Sequence, residues 1–344
     1  RWTEKCLETA TSHMQTVVCN TKKTDMKNIT TYLLLIILFT LSCNKDEISP
    51  EIEKGLLKNQ VIAIGGVDRN YHLYVPNNPL NAPVVFLFHG NGGSYDDMLG
   101  LTGVKAPYKV WLDIANQEDL IIVVPNGTLS SLNTRGWNDC RNDAPRTPTT
   151  NDVEFIVNLL DFIKEKYNTN DAKVFAVGTS NGGHFANRLA QEIPDRITAF
   201  ASVVASNAAN SECSDATTNV SALFMNGTDD PILPYIGGST ENGEVISTES
   251  TVSYWVTRNA TDTTPVITNF PDISANDGST VTRFLYKNGG NGTEVVLFKV
   301  NNGGHTEPSI SERYGLIWLS IVGNQNGDIE MANEVWDFFK TKTK

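Results

Sequence analysis

Positive charge is scarce in this chain: 27 lysines and arginines stand against 39 aspartates and glutamates, a formal charge of −12. A protein that neutralises nucleic-acid phosphates needs a clustered basic excess, and no such cluster occurs, so no nucleic-acid partner is expected. Long apolar runs are missing as well. Residues 32–41 (YLLLIILFTL) cover only about half of the roughly 20 positions that a membrane-crossing helix requires. Cysteine is sparse, and beyond Cys43 only Cys140 and Cys213 remain. Two such residues can pair in an oxidising compartment or stay as buried thiols, and the sequence does not choose between these. Internal repeats and a Pro/Ser-rich linker are also absent. One large domain is therefore expected, with the composition of a globular protein, 40% hydrophobic and 9% aromatic.

The first fifty residues read as targeting. Lys22, Lys23 and Lys27 precede the apolar run, and Ser42, Cys43 and the polar stretch 44–47 follow it, which is the layout of an export signal. Leu41-Ser42-Cys43 resembles the lipobox of bacterial lipoproteins, which implies acylation of Cys43, although Thr40 stands where that family usually has leucine. The expected division is an upstream non-native segment (1–25), a signal peptide opening at Met26 (26–42), a tether (43–56) and a catalytic domain (57–344). The expected location is outside the cytoplasm of a bacterium, in the periplasm or at the cell surface, touching membrane only through a lipid anchor.

Along the rest of the chain, residues 60–64 and 71–75 are β-prone runs around a Gly/Asp turn and predict an antiparallel hairpin at a sheet edge. The runs 84–88, 120–124, 174–177, 199–204, 222–225 and 295–300 are mostly continuous in apolar residues, as expected of strands covered on both faces. Helical spacing of Val153, Ile156, Leu159, Leu160 and Ile163 behind Asn151 and Asp152 predicts a helix over 152–166, and a second follows Ser180 and stops at Pro194. Alternating strands and helices predict a mostly parallel sheet with helices on both faces, and such sheets place their chemistry beyond the carboxyl ends of the strands.

At one such end, the strand 174–177 runs into Gly178-Thr-Ser-Asn-Gly-Gly183 and then a helix. This is the pattern of a nucleophile elbow, in which glycines permit a sharp strand-to-helix turn that presents Ser180. A serine hydroxyl needs a base to remove its proton. Among the four histidines beyond the leader, His72 lies within a strand, His89 ends one, and His184 follows the elbow on the same helix. That leaves His305, in the glycine loop after the strand 295–300. The orienting carboxylate is expected after a strand between them, where Asp229 and Asp230 both lie and spacing does not separate them. Donors for an oxyanion are expected from the backbone of Asn91, in His89-Gly-Asn-Gly-Gly93, and of Asn181. The glycine loop lacks the Lys-Ser/Thr ending of a nucleotide-binding loop, and neither cofactor nor metal is expected.

These motifs, with Trp137-Asn138, Asp152-Val-Glu-Phe155, Arg188-Leu-Ala190, Gly227-Thr-Asp-Asp-Pro231, Pro234-Tyr235 and Gly303-Gly-His-Thr306, resemble the bacterial esterase family of feruloyl esterases, acetylxylan esterases and polyhydroxybutyrate depolymerase-like proteins. The resemblance spans about residues 57–340. It implies an α/β-hydrolase fold and hydrolysis of carboxylic esters through an acyl-Ser180, with feruloyl or acetyl esters of plant polysaccharides as the favoured substrates. It also selects Asp230, because the family's acid immediately precedes the proline. Asn226, His184 and Glu307 depart from a common histidine, methionine and tryptophan. Trp137 and Tyr235 are candidate pocket walls, with core packing an equally good reading of each, whereas Trp111, Trp255, Trp318 and Trp336 are assigned to the core. The alternatives are a polyhydroxyalkanoate or short-chain esterase, and a glycan-binding lipoprotein that keeps the fold without turnover.

Overall fold

The computed structural model describes residues 53–344 other than Asp215, so the expected leader, the lipidation site Cys43 and most of the tether lie outside the described residues. Glu53–Lys344 form one compact unit. Its centre is a ten-stranded sheet built from β1 (Gly55–Ile64), β2 (Val67–Val75), β3 (Val84–Phe88), β4 (Ile121–Pro125), β7 (Val174–Thr179), β8 (Ala199–Val203), β9 (Ser221–Gly227), β12 (Val266–Asn269), β13 (Thr280–Tyr286) and β14 (Val295–Asn301). The numbers between belong to two small ribbons, β5 (Thr128–Leu129) with β6 (Arg135–Gly136) and β10 (Gly238–Thr240) with β11 (Gly243–Val245). The order across the sheet is β1-β2-β4-β3-β7-β8-β9-β14-β13-β12. From β4 to β14 neighbouring strands are parallel, and antiparallel strands flank them on both sides. The fold is the α/β-hydrolase fold.

The apolar runs form the middle of this sheet for the reason their pattern suggests. β3, β4 and β8 are buried at every position, with side chains alternating between two cores. Phe86 and Phe88 face one core, which the helices Asp152–Tyr167, Asn181–Glu192 and Thr248–Asn259 close with Leu159, Phe185 and Trp255. Val85 and Leu87 face the other, closed by Val110–Glu118 and Met331–Phe339 with Trp111 and Phe339. The side chain of Asn151 accepts the Glu154 amide (3.2 Å) and starts the first of these helices where expected.

The outer strands are different. β1 alternates in exposure beside β2, as a hairpin at an edge must. At the far side β12 and β13 mix apolar and polar residues and are mostly part-exposed or exposed, and lack the continuous buried runs that identify the central strands. Among the tryptophans assigned to the core, Trp318 is a correction: it is 52% exposed. It lies on the short helix Leu316–Val322, which buries Val322 and turns Leu316, Ile317 and Trp318 outward.

Candidate active site

Ser180, Asp230 and His305 follow β7, β9 and β14, three parallel strands of one sheet, so all three emerge at the same end of it. Ser180 has φ 53° and ψ −122°, a conformation that a residue with a side chain rarely adopts, and the helix begins at the next residue. Glycines make the turn possible. A Cβ on Gly178 would lie 2.2 Å from the Gly182 carbonyl oxygen, and one on Gly182 would lie 2.2 Å from that of Phe88. The same close packing brings the Gly90 loop against the elbow, since a Cβ there would be 3.3 Å from the Ser180 Cβ.

His305 and Asp230 are in direct contact, with Nδ1 2.7 Å from Oδ2. The other carboxylate oxygen of Asp230 accepts the amides of Ile232 (2.7 Å) and Leu233 (2.8 Å), which fixes the group in its turn. Asp229 is exposed, its carboxylate beside the Thr228 hydroxyl (3.1 Å), so burial separates the two acids that spacing could not. The histidine loop is pinned by two backbone bonds, Asp229 N–H to Gly303 O (2.9 Å) and His305 N–H to Val322 O (2.6 Å). With Nδ1–H donated to a carboxylate, an imidazole keeps its lone pair on Nε2 and can accept a hydroxyl proton there.

The loop expected to supply an oxyanion donor is braced from behind. His89 is fully buried, its Nδ1 2.8 Å from Gly90 O while Nε2 accepts the Gly127 amide (3.0 Å). Burial depresses its pKa to about 4, so the ring is neutral and its tautomer is set. Trp137 Nε1 donates to the His89 carbonyl (3.0 Å), and the indole stacks on Phe185 with centroids 5.1 Å apart. With no exposed surface, Trp137 is no pocket wall; of its two readings the core one holds, and it braces this loop. Tyr235 is likewise core and no pocket wall, being 6% exposed with the Lys299 ammonium over its ring at 5.0 Å. Flat aromatics suit a pocket and a core equally, and residue type alone does not distinguish them.

Beneath Asn181 lies a residue the sequence reading did not single out. The Asn181 side chain accepts the Trp137 amide (2.7 Å) and donates to Oδ2 of Asp139 (2.6 Å). Burial would raise the Asp139 pKa, but the charge of Arg141 and the bonds from Arg141 and Asn181 more than offset it and hold the carboxyl below its ordinary value. The only available signal was its place after Trp137-Asn138. The departures from the family pattern are also accommodated. Asn226 bonds Ala205 and Thr248 in the core, and the buried Glu307 accepts the Tyr314 hydroxyl (2.6 Å). Cys140 and Cys213 form a disulfide.

A strained serine between a parallel strand and a helix, with a histidine–carboxylate pair at the same sheet end, defines an α/β-hydrolase. The esterase family, whose model is described as "Putative esterase", matches residues 64–261, more than half of the chain, and the chain belongs to that family. It is a carboxylic ester hydrolase. Among similar proteins, "Putative esterase NocK" of Nocardia uniformis subsp. tsuyamanensis is 26% identical over 293 residues, which are 80% of this chain and 80% of that protein. "Probable feruloyl esterase C" of Aspergillus niger is 29% identical over 187 residues, 53% of this chain and 62% of that protein. The chain therefore spans less than two thirds of that relative, and 22% of a bifunctional acetylxylan esterase/xylanase from Neocallimastix patriciarum. The solved acetyl xylan esterase from Aspergillus awamori superposes with a TM-score of 0.49 at 15% identity, covering 77% of this chain and 98% of that one.

Proposed function

We propose that Ser180 is the nucleophile, His305 the general base and Asp230 the carboxylate that orients it, in an esterase acting on feruloyl or acetyl esters of plant polysaccharides. The observation that carries the assignment is the 2.7 Å contact between His305 Nδ1 and Asp230 Oδ2, which leaves Nε2 as the nitrogen for the Ser180 proton. Ser180 Oγ attacks the ester carbonyl and its proton passes to His305. The tetrahedral oxyanion is received by the backbone N–H groups of Asn91 and Asn181, and His305 returns the proton to the departing alcohol. Water then repeats the sequence on the acyl-enzyme. The substrate class is supported by the names of the similar proteins, a feruloyl esterase and an acetylxylan esterase.

We infer also that the protein is exported and lipid-anchored through Cys43. The signal-like residues 26–42 support this, as does the Cys140–Cys213 disulfide, a bond that persists in oxidising compartments. Hydrolysis of methyl ferulate, of p-nitrophenyl acetate to butyrate, and of hydroxybutyrate trimers by wild type and Ser180→Ala tests the catalytic reading. Wild type should turn over the feruloyl and acetyl esters, and Ser180→Ala should lose about a thousandfold or more of that rate while staying folded. Turnover of hydroxybutyrate trimers alone would move the substrate to polyesters. Inactivity of the wild type on every ester would sink the reading.

A further inference from the structure

A recess of about 340 Å³, lined by both polar and apolar side chains, opens one helical turn beyond Ser180. His184, Asn187 and Gln191 of the elbow helix line it with Asn207 after β8, and Ala208 and Ile246 add an apolar side beside the Cys140–Cys213 bridge. The charges around it are already matched. Arg188 meets Glu192 (3.2 Å) and the Asn138 carbonyl (2.8 Å), and Asp139 meets Arg141 (2.7 Å). An anion or a cation would gain little there, so the recess suits a neutral ligand.

His184 specifies more. It is 4% exposed, one ring nitrogen meets the backbone of Ser206, and Nε2 has no partner. Burial, reinforced by the charge of Arg141, depresses its pKa to about 3, so the ring is neutral at any working pH. A neutral ring that donates one N–H to the Ser206 carbonyl holds its lone pair on Nε2, and that atom calls for a hydroxyl donor. A methionine in this place could accept only weakly. The carboxamides of Asn187 and Asn207 meet at 2.6 Å, and those of Gln191 and Asn187 at 3.4 Å. Each carboxamide offers both donors and an acceptor, the mixture that a polyol presents in return. The volume lies near the small end of the roughly 300–1,000 Å³ of ligand pockets, enough for one ring and too little for a length of polymer.

We propose that this recess is a subsite for a single sugar ring on the alcohol side of the ester, with His184 Nε2 accepting a ring hydroxyl and the carboxamides completing the contact. The proposal rests on the assignment of Ser180 as nucleophile.

The test compares two acetates that differ only in their alcohol, an O-acetylated methyl xyloside and p-nitrophenyl acetate, in wild type, His184→Met and Asn207→Ala. Inhibition of p-nitrophenyl acetate hydrolysis by methyl xyloside is measured alongside, with thermal midpoints to show that each variant is folded. The ratio of kcat/KM for the sugar ester to that for the phenyl ester should fall about tenfold in each variant, and inhibition should weaken by a similar factor. A ratio within twofold of wild type in a folded variant overturns the subsite. Equal loss on both esters also overturns it, because the residues then serve only the elbow. If Ser180→Ala keeps full activity, the subsite falls together with the Ser180 assignment, whereas an unchanged ratio with Ser180→Ala inactive refutes the subsite alone.

Discussion

Oδ2 of Asp139 lies 2.6 Å from Nδ2 of Asn181, and the same oxygen receives the Arg141 guanidinium at 2.7 Å. One buried carboxylate therefore clamps the side chain of the residue that follows Ser180 and neutralises a buried cation. Asp139→Ala would leave Arg141 uncompensated, and should cost about 3–5 kcal/mol of stability in a urea titration. A loss below about 1 kcal/mol would show that water can replace the carboxylate.

Acid should loosen the protein from the His89 side. The folded pKa of about 4 lies below the unfolded value of roughly 6.5, so the unfolded chain takes up the proton first. The stabilisation is complete above about pH 6.5 and is lost as pH falls toward 4, by on the order of 3 kcal/mol. His184, neutral down to about 3, acts in the same direction. Thermal midpoints from pH 8 to 4.5 should fall, and His89→Gln should flatten the profile. An identical slope in the variant would assign the acid sensitivity elsewhere.

The adjacent acids should behave oppositely. Asp230→Asn should lower kcat about 10³–10⁴-fold, because an amide cannot hold His305 in the tautomer that leaves Nε2 free. Asp229→Ala, with its side chain in solvent, should stay within about threefold of wild type. Comparable losses in the two would contradict the assignment.

Breaking the Cys140–Cys213 bond releases a crosslink between residues 73 apart in sequence. Reduction, or Cys213→Ser, should destabilise by about 2–5 kcal/mol, read as a lower Tm in dithiothreitol than without it. An unchanged Tm would mean that the packing around the bridge suffices without it.

What could be read in the sequence was what is encoded locally. The strained turn at Ser180 is written in Gly178 and Gly182, whose close contacts exclude other residues, and the central strands in continuous apolar runs. The contact of His305 with a carboxylate was inferred from its loop after a strand, but Asp229 and Asp230 differ only in burial, which the whole fold decides. The disulfide and the Asp139 clamp join segments that only the tertiary structure brings together. Residue type leaves Trp137 open between pocket and core and wrongly assigns Trp318 to the core, because an indole tolerates the core and the surface alike and its neighbours set the outcome. The outer strands β12 and β13 mix apolar and polar residues without a continuous apolar run and do not stand out in the sequence.

The sheet order gives the site a place in the folding sequence of the chain. His305 meets Asp230 across 75 residues, and only after β14 has paired with β9. Helices and the elbow turn are local, whereas this non-local strand pairing carries the larger loop-closure cost and is expected to follow them. A refolding chain should therefore recover helical signal before it recovers ester hydrolysis. A nascent chain that has not yet added its last strand would carry Ser180 without His305, and on the proposed assignment it would stay silent until its topology is complete.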